Sequence, residues 1–223
     1  HRLVDQLLND LGQKDALPLL AFTLERLLHY LAEDRKLTLQ TYHNELHGLE
    51  GAITSAFTSV ILKVRKSSAL PNRESAINEQ LRELFIPLLV RIDDHQAEPK
   101  RRITLSNDIP KHTHALLNYL TDARLLVTNT QDDDKTTIEV SHEAIFRHWE
   151  PLYNWLTEEK ENLIHIERIQ QEAKDYQHQI ESKQKLQKNL LLHRGSRLES
   201  AELLLKRKDY AKVLGTKAKH YLI

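Results

Sequence analysis

The only clear β-hairpin signal in the chain is RLLVTNTQDDDKTTIEVS, residues 124–141. Arg124 to Thr128 is extended and apolar, and a polar turn with three consecutive aspartates follows it. The returning part, Thr137 to Ser141, alternates apolar and polar residues, so Ile138 and Val140 are expected to face a core. The sequence therefore predicts a two-stranded wing at this position.

Three further elements are predicted before this hairpin. The first is a helical stripe between Leu81 and Leu89, which Pro87 is expected to kink or split. The second is a short strand at 101–105, and the third is a helix at 109–120. Helix, strand, helix and two-stranded wing follow one another in a winged helix-turn-helix, so we predict that architecture here.

The first part of the chain has a strong helical period. Its apolar residues fall on one stripe, which consists of Leu17, Leu20, Ala21, Leu24, Leu27, Leu28 and Leu31. This spacing is typical of an amphipathic helix, and Leu24 at its centre is expected to be fully enclosed. Asp15 is the expected N-cap, and Pro18 suits the first turn, where a missing N–H does no harm. Further helices are expected from Thr38 and after Gly51.

The pattern divides the chain into three parts, and the predicted fold class is mainly α. Residues 1–66 form a helical unit, which the polar stretch Ser67 to Asn72 separates from the next part. A winged-helix domain is predicted at 67–150. Residues 151–223 form a C-terminal helical arm, in which widely spaced apolar residues predict long helices and a break near Ser182.

Composition excludes several classes of protein. Lys+Arg and Asp+Glu both number 32, so the formal net charge is zero and the plainest sign of a nucleic-acid binder is missing. The absence of cysteine excludes disulfides and thiolate metal sites. Five glycines are too few for the frequent turns of a β-barrel. No run approaches the roughly 18 apolar residues of a membrane span, so we expect no membrane contact. A cytoplasmic location is expected because it fits the absence of cysteine. Because the first residue is His1, we expect a piece of a longer protein.

The chain also lacks the motifs of common enzymes and metal sites. None of its glycines belongs to the Walker A phosphate loop, G-x-x-x-x-G-K followed by Ser or Thr. We therefore expect no nucleotide hydrolysis by this chain alone and no catalytic residues. His43 and His47 are four residues apart, but the glutamate that adjoins the first histidine of a zinc protease is missing. No metal site is expected.

The strongest chemical signal is carried by VSHEAIFRHW, residues 140–149. This segment places His142 between the second wing strand and the next helix. One interpretation is structural, with Ser141 as the helix cap and His142 packed nearby. The other is functional, because a helix start favours anions and an imidazolium there could add a charge-assisted contact to a phosphate.

DNA binding is an alternative function for a winged helix. The helix before the wing offers a weak basic surface, which consists of Lys111, His112, His114 and Asn118. Asp132 to Asp134 in the wing would repel the phosphates of a duplex. A transcription regulator with a winged helix and a helical dimerisation arm is therefore the second hypothesis. A plain scaffold without any ligand is the third.

Several segments together resemble the novel STAND NTPase group, which consists of bacterial relatives of the NB-ARC and NACHT signalling switches. They are LPLLAFTLERL at 17–27, LEGAI at 49–53, the segment at 140–149 and LLHRGSRL at 191–198. Trp149 and Trp155, six residues apart, belong to the same similarity. The match covers most of the chain in the order that the family has.

The resemblance also implies two nucleotide contacts. Pro18 matches the proline of the family's Gly-x-Pro motif, which packs on adenine. His142 matches the histidine of the family's Met-His-Asp motif, which holds the β-phosphate of ADP in the resting state. Ala16, Ser141 and Glu143 stand where the family usually has glycine, methionine and aspartate.

On this resemblance, the chain is the regulatory fragment of a STAND-type signalling NTPase, with a helical lid at 1–66. It would lock or release a nucleotide-dependent oligomerisation switch in a conflict or defence system. The expected cofactors, ADP or ATP with Mg, belong to a nucleotide-binding domain upstream, and the chain itself holds none. The expected partners are that domain, a downstream sensor built of repeats, and further copies of the protein in the active state.

Overall fold

The structure is a computed structural model that describes residues 2–10, 16–28, 30, 36–67, 73–94, 97–130, 135–181 and 195–222. Within these residues the protein consists of ten α-helices and two small antiparallel sheets. The mainly α fold that the sequence predicts is confirmed. None of the helices in the described residues combines the length and the apolar content that a membrane crossing requires.

The helices are α1 Arg2–Asp10, α2 Ala16–Leu28, α3 Leu39–Asn44, α4 Gly48–Lys66, α5 Glu74–Phe85, α6 His114–Asp122, α7 Ile145–His148, α8 Glu150–Glu181, α9 Ser196–Lys206 and α10 Lys208–Leu222. The strands are β1 Val90–Ile92, β2 Pro99–Arg101, β3 Thr104–Leu105, β4 Leu126–Thr130 and β5 Thr136–Val140. β1 pairs with β2, and the other three strands form a sheet in the order β3-β5-β4.

The predicted wing hairpin is present as β4 and β5, with small shifts at its ends. β4 begins at Leu126 rather than at Arg124, and β5 ends at Val140 rather than at Ser141. Leu126 pairs with Val140 in antiparallel register. Ile138 and Val140 are both buried, as their alternation predicts.

The segment between α5 and α6 differs from the prediction. A second hairpin, β1 with β2, was not expected, because strands of three residues are too short to show a period. The strand predicted at 101–105 is divided between two sheets, since β3 begins only at Thr104. Helix α5 ends before Pro87. Helix α6 begins at His114 rather than at residue 109, after two short 3-10 turns.

Several predictions lie wholly or partly outside the described residues. They are the cap at 15, most of the linker at 67–72, the aspartates at 132–134, the break near 182 and part of the segment at 191–198. The division into three domains stays a prediction, as does the name winged helix for the middle part. Buried side chains from all three parts form one continuous cluster.

Helix α2 buries only part of the face that its leucines predict, because Leu27 is the one fully enclosed member of the stripe among the described residues. Leu19, Thr23 and Leu27 are enclosed, at the helical spacing of four residues. Thr23 can be buried because its hydroxyl donates a hydrogen bond to the carbonyl oxygen of Leu19 at 2.8 Å. Leu24 is only partly buried, and Leu17 is 75% exposed. The expectation that Leu24 is fully enclosed is therefore wrong.

The core is built around helix α4 and a set of four aromatic side chains. Phe57 of α4 stacks on Trp149, with ring centroids 3.7 Å apart and an angle of 3° between the planes. Phe85 of α5 tilts against both rings, and Trp155 of α8 meets Trp149 edge to face at 5.5 Å. This aromatic cluster joins the first helices, the middle part and the arm, and such pairs stabilise beyond the area that they bury.

Charged groups hold the long helix α8 in place. Glu159 is 7% exposed and accepts hydrogen bonds from Arg207 at 3.1 Å, Tyr210 at 2.6 Å and Asn162 at 2.8 Å. Arg82 of α5 donates a further bond to the same carboxylate at 3.2 Å. Burial by itself would raise the pKa of Glu159, but the bonds from Arg207, Tyr210 and Asn162 lower this pKa to about 2.

Gly51 packs against the turn that leads into α4, and replacement by alanine tests this contact. An added Cβ would overlap the carbonyl oxygen of Leu46 and would lie 2.7 Å from Cβ of His47. We expect Gly51→Ala to lower the free energy of unfolding by about 1–3 kcal/mol, although alanine favours helices more than glycine. Urea denaturation measures the change. Lys63→Ala on the exposed side of α4 is the control, with an expected change within about 0.5 kcal/mol. A wild-type value for Gly51→Ala would contradict this packing.

The lowered pKa of Glu159 predicts a loss of stability in acid. A carboxylate with a lowered pKa in the folded state stabilises the fold above its unfolded pKa and loses that contribution as the pH falls through the folded pKa. We therefore expect the wild-type chain to lose stability relative to Glu159→Gln between pH 4.5 and about pH 2. Denaturation midpoints over this range measure the difference. Glu158→Gln, whose native side chain is 59% exposed, is the control that keeps the wild-type profile. Parallel profiles for wild type and Glu159→Gln would disprove the explanation.

Candidate functional site

A cavity of about 420 Å³ lies between helix α2 and the β4–β5 hairpin. Its wall comes from α2, from the turn between α6 and β4, from β4 itself and from the residues that follow β5. The volume falls within the roughly 300–1,000 Å³ of small-molecule pockets. Pro18 and His142, which lie far apart in the sequence, both line this cavity.

Helix α2 contributes a largely apolar wall. Its lining residues are Pro18, Ala21, Phe22 and Glu25, at positions i, i+3, i+4 and i+7. Residues at this spacing share one helix face. Pro18 lies in the first turn of α2, as the sequence predicts, and its side chain is exposed. A planar apolar group could therefore pack against Pro18 and Phe22.

His142 is held between a sheet and the aromatic cluster. The N–H of Ser141 donates to the carbonyl oxygen of Leu125 at 3.1 Å, which extends the β4–β5 ladder by one step. The next turn is closed by the N–H of Ile145, which donates to the carbonyl oxygen of His142 at 3.2 Å. Trp149 anchors the end of this short segment in the core. The backbone at His142 is thus fixed from both sides.

The hydrogen bonds of His142 define which ring nitrogen can contact a ligand. The N–H of Ala144 donates to Nδ1 of His142 at 3.1 Å. Nδ1 is therefore unprotonated, and the proton of the neutral ring lies on Nε2. Burial lowers the pKa of His142, and the charge of Arg101 lowers it further. Instead of the imidazolium expected from the sequence, the structure favours a neutral ring whose Nε2–H can donate.

Ser141 does not cap the following helix, which corrects the structural interpretation of this segment. The free backbone N–H at the start of that helix belongs to Ala144, and it donates to Nδ1 of His142 instead. The Oγ of Ser141 is buried, and it makes no hydrogen bond to any residue of the described ranges. An enclosed hydroxyl without a partner is costly, and Ser141 lines the cavity, so it is a candidate ligand contact.

Glu143, the neighbour of His142, takes no part in the cavity wall. Its Oε1 accepts a hydrogen bond from the backbone N–H of Arg101 in β2 at 3.2 Å. This bond joins the segment after β5 to the β1–β2 hairpin. Of the pair His142 and Glu143, only the histidine therefore reaches the cavity.

An ion pair that sequence reasoning missed adjoins the cavity. Nε of Arg124 lies 2.6 Å from Oε1 of Glu25, and both residues belong to the lining. The pair joins α2 to the turn between α6 and β4. No motif contains both residues, so only the fold reveals that they meet.

The two histidines of the weak basic surface before the wing both make polar contacts with other residues of the fold. Nε2 of His112 lies 2.7 Å from Oε2 of Glu83, and Nε2 of His114 lies 3.3 Å from the carbonyl oxygen of Ile109. Each contact occupies one ring nitrogen of a histidine in the weak basic surface that the sequence offers, although the His112 side chain is still exposed. Across the residues that the structure describes, no three potential metal ligands come together.

Comparison with known proteins identifies the family. The family model named Novel STAND NTPase 1 matches residues 1–184, which include both Pro18 and His142. No curated protein and no solved structure matches the chain. Because the family model covers well over half of the sequence, the chain belongs to the Novel STAND NTPase 1 family.

Proposed function

We propose that this chain is the regulatory part of a STAND-type signalling protein and that it binds ADP in the cavity between α2 and β4. The bound state keeps the protein in its resting conformation, and release of the nucleotide frees it for oligomerisation. Family membership supports a STAND-type signalling protein in general. The observation that carries the finer proposal is that Pro18 and His142 line the same cavity.

The chain's own residues supply two kinds of contact in this proposal. Pro18 and Phe22 offer an apolar surface on which the adenine ring packs. Nε2–H of His142 donates to the β-phosphate, and a neutral donor is sufficient because the phosphate carries the charge. The cavity lies between α2 and the β4–β5 hairpin, so a ligand that contacts both elements holds them together.

The remaining nucleotide contacts come from other parts of the protein in this proposal. An upstream domain supplies the phosphate loop and the Mg, and it hydrolyses ATP, while this chain has no catalytic residue. We interpret α5, α6 and the β4–β5 hairpin as a winged helix and α8 to α10 as an arm towards a downstream repeat sensor. A cytoplasmic location, self-assembly in the active state and a role in defence belong to the same proposal.

Replacement of His142 tests the resting-state contact. A hydrogen bond to a charged group is worth about 1.5–3 kcal/mol, so His142→Ala should release ADP about 10- to 100-fold faster. Stopped-flow displacement of a fluorescent ADP measures the rate, in the protein that joins this chain to its nucleotide-binding domain. His112→Ala, an exposed histidine outside the cavity, is the control and keeps the wild-type rate. A wild-type rate for His142→Ala together with a lowered melting temperature would show that the residue only stabilises the fold.

DNA binding is the second candidate, and the order of elements in the middle part favours it. A winged helix that reads DNA contacts phosphates with Lys and Arg, so its affinity falls steeply with salt. The formal net charge of the chain is zero, and the exposed His112 lies beside the carboxylate of Glu83, which would repel a phosphate. We therefore expect no binding of the chain to a labelled duplex in fluorescence anisotropy at low salt. Tight binding that is lost as salt rises would favour the transcription regulator instead.

A further inference from the structure

We propose that Arg124 is a second, charged contact for the diphosphate in this cavity and that Glu25 competes with the ligand for it. The guanidinium group of Arg124 would then pair either with Glu25 or with the diphosphate, and binding of the ligand would displace Glu25. This inference rests on the proposed function, because it takes the cavity to be the ADP site. It adds two residues that neither the sequence motifs nor the family match assigns.

The geometry places the exchange in the cavity that His142 also lines. Arg124 and Glu25 both line the cavity, and Nε of Arg124 lies 2.6 Å from Oε1 of Glu25. The Arg124 side chain is 70% exposed and that of Glu25 is 29% exposed. An ion pair with this much contact to water contributes little to stability, so a ligand can replace one partner at small cost.

The charges of the lining residues decide which ligand can displace Glu25 from Arg124. Among the residues that line the cavity, Arg124 is the one permanent cation and Glu25 the one carboxylate, and all of them lie in the described ranges. Phosphate groups accept paired hydrogen bonds from a guanidinium and carry more charge than a carboxylate. A nucleoside diphosphate therefore competes with Glu25, whereas an uncharged nucleoside does not.

The backbone fixes the point from which the guanidinium extends. Arg124 has a left-handed conformation with φ of 56°, directly after helix α6. Its N–H donates to the carbonyl oxygen of Thr121 at 2.9 Å, and the N–H of Leu125 donates to that of Leu120 at 2.9 Å. These two bonds form the Schellman motif, in which glycine usually occupies the left-handed position.

The same motif supplies a variant that keeps the fold. Arg124→Gly removes the guanidinium and places at this position the residue that suits the backbone best. The turn and its two hydrogen bonds are therefore expected to persist. A loss of ligand binding in this variant cannot be explained by unfolding of the turn.

Two substitutions that break the same ion pair should change ADP binding in opposite directions. Arg124→Gly removes a charged contact and should raise the Kd of ADP about 10-fold or more. Glu25→Gln removes the competitor and should lower the Kd of ADP several-fold. Calorimetric titration of the protein that joins this chain to its nucleotide-binding domain measures both. Adenosine, which has no phosphate, should bind equally well to wild type and to both variants.

A matched ion pair elsewhere is the control for unspecific charge effects. Arg168 and Asp94 lie 2.7 Å apart, are partly exposed and do not line the cavity. Arg168→Gln and Asp94→Asn should therefore leave the Kd of ADP unchanged.

The outcomes separate this inference from the proposed function. If Arg124→Gly and Glu25→Gln shift the Kd of ADP in the same direction, or not at all, the exchange on Arg124 is disproved. If His142→Ala still accelerates ADP release in that case, the proposed function stands without the exchange. If none of the three substitutions affects ADP, the cavity is not the nucleotide site and both proposals fail.

Discussion

The stacking of Phe57 on Trp149 is the contact on which the remaining structure depends. Phe57 lies at the centre of α4, which has more buried residues than any other described helix of the first part. Trp149 lies between the short helix α7 and the long helix α8, and its ring also meets Phe85 and Trp155. His142 precedes Trp149 by only seven residues, so the stacked ring fixes one end of the segment that brings His142 to the cavity wall.

The sequence predicted those elements whose side chains repeat over many residues. The helix expected after Gly51 is present as α4, although it begins at Gly48, and the alternation predicted for Ile138 and Val140 is present as well. The buried face of α2 is predicted only in part, because a count of leucines cannot foresee that Thr23 satisfies its hydroxyl within the helix and becomes buried. The sequence does not predict the β1–β2 hairpin, because strands of three residues are too short to show a period.

For the candidate site, too, the sequence indicates some of the residues but not how they meet in the fold. Pro18 and His142 were found through the family resemblance, and their spacing alone says nothing of a shared cavity. The interpretation of Ser141 as a helix cap fails because capping propensity does not show that the backbone N–H of Ala144 donates to the ring of His142 instead. Glu25 and Arg124 are about a hundred positions apart, and contacts over such distances are decided by the packing of whole elements.

The length of α8 has a mechanical consequence. Its 32 residues correspond to a rigid rod of about 48 Å, at 1.5 Å per residue. One end adjoins Trp149, and the carboxylates of Glu159 and Glu167 fasten the rod to Arg207 and Arg102 along its length. A rotation of about 10° at the aromatic cluster, which would have to break the contact between Glu167 and Arg102, would displace the far end by about 8 Å, given that rise per residue. The helix thus has the proportions of a lever that converts a small angular change into a large displacement.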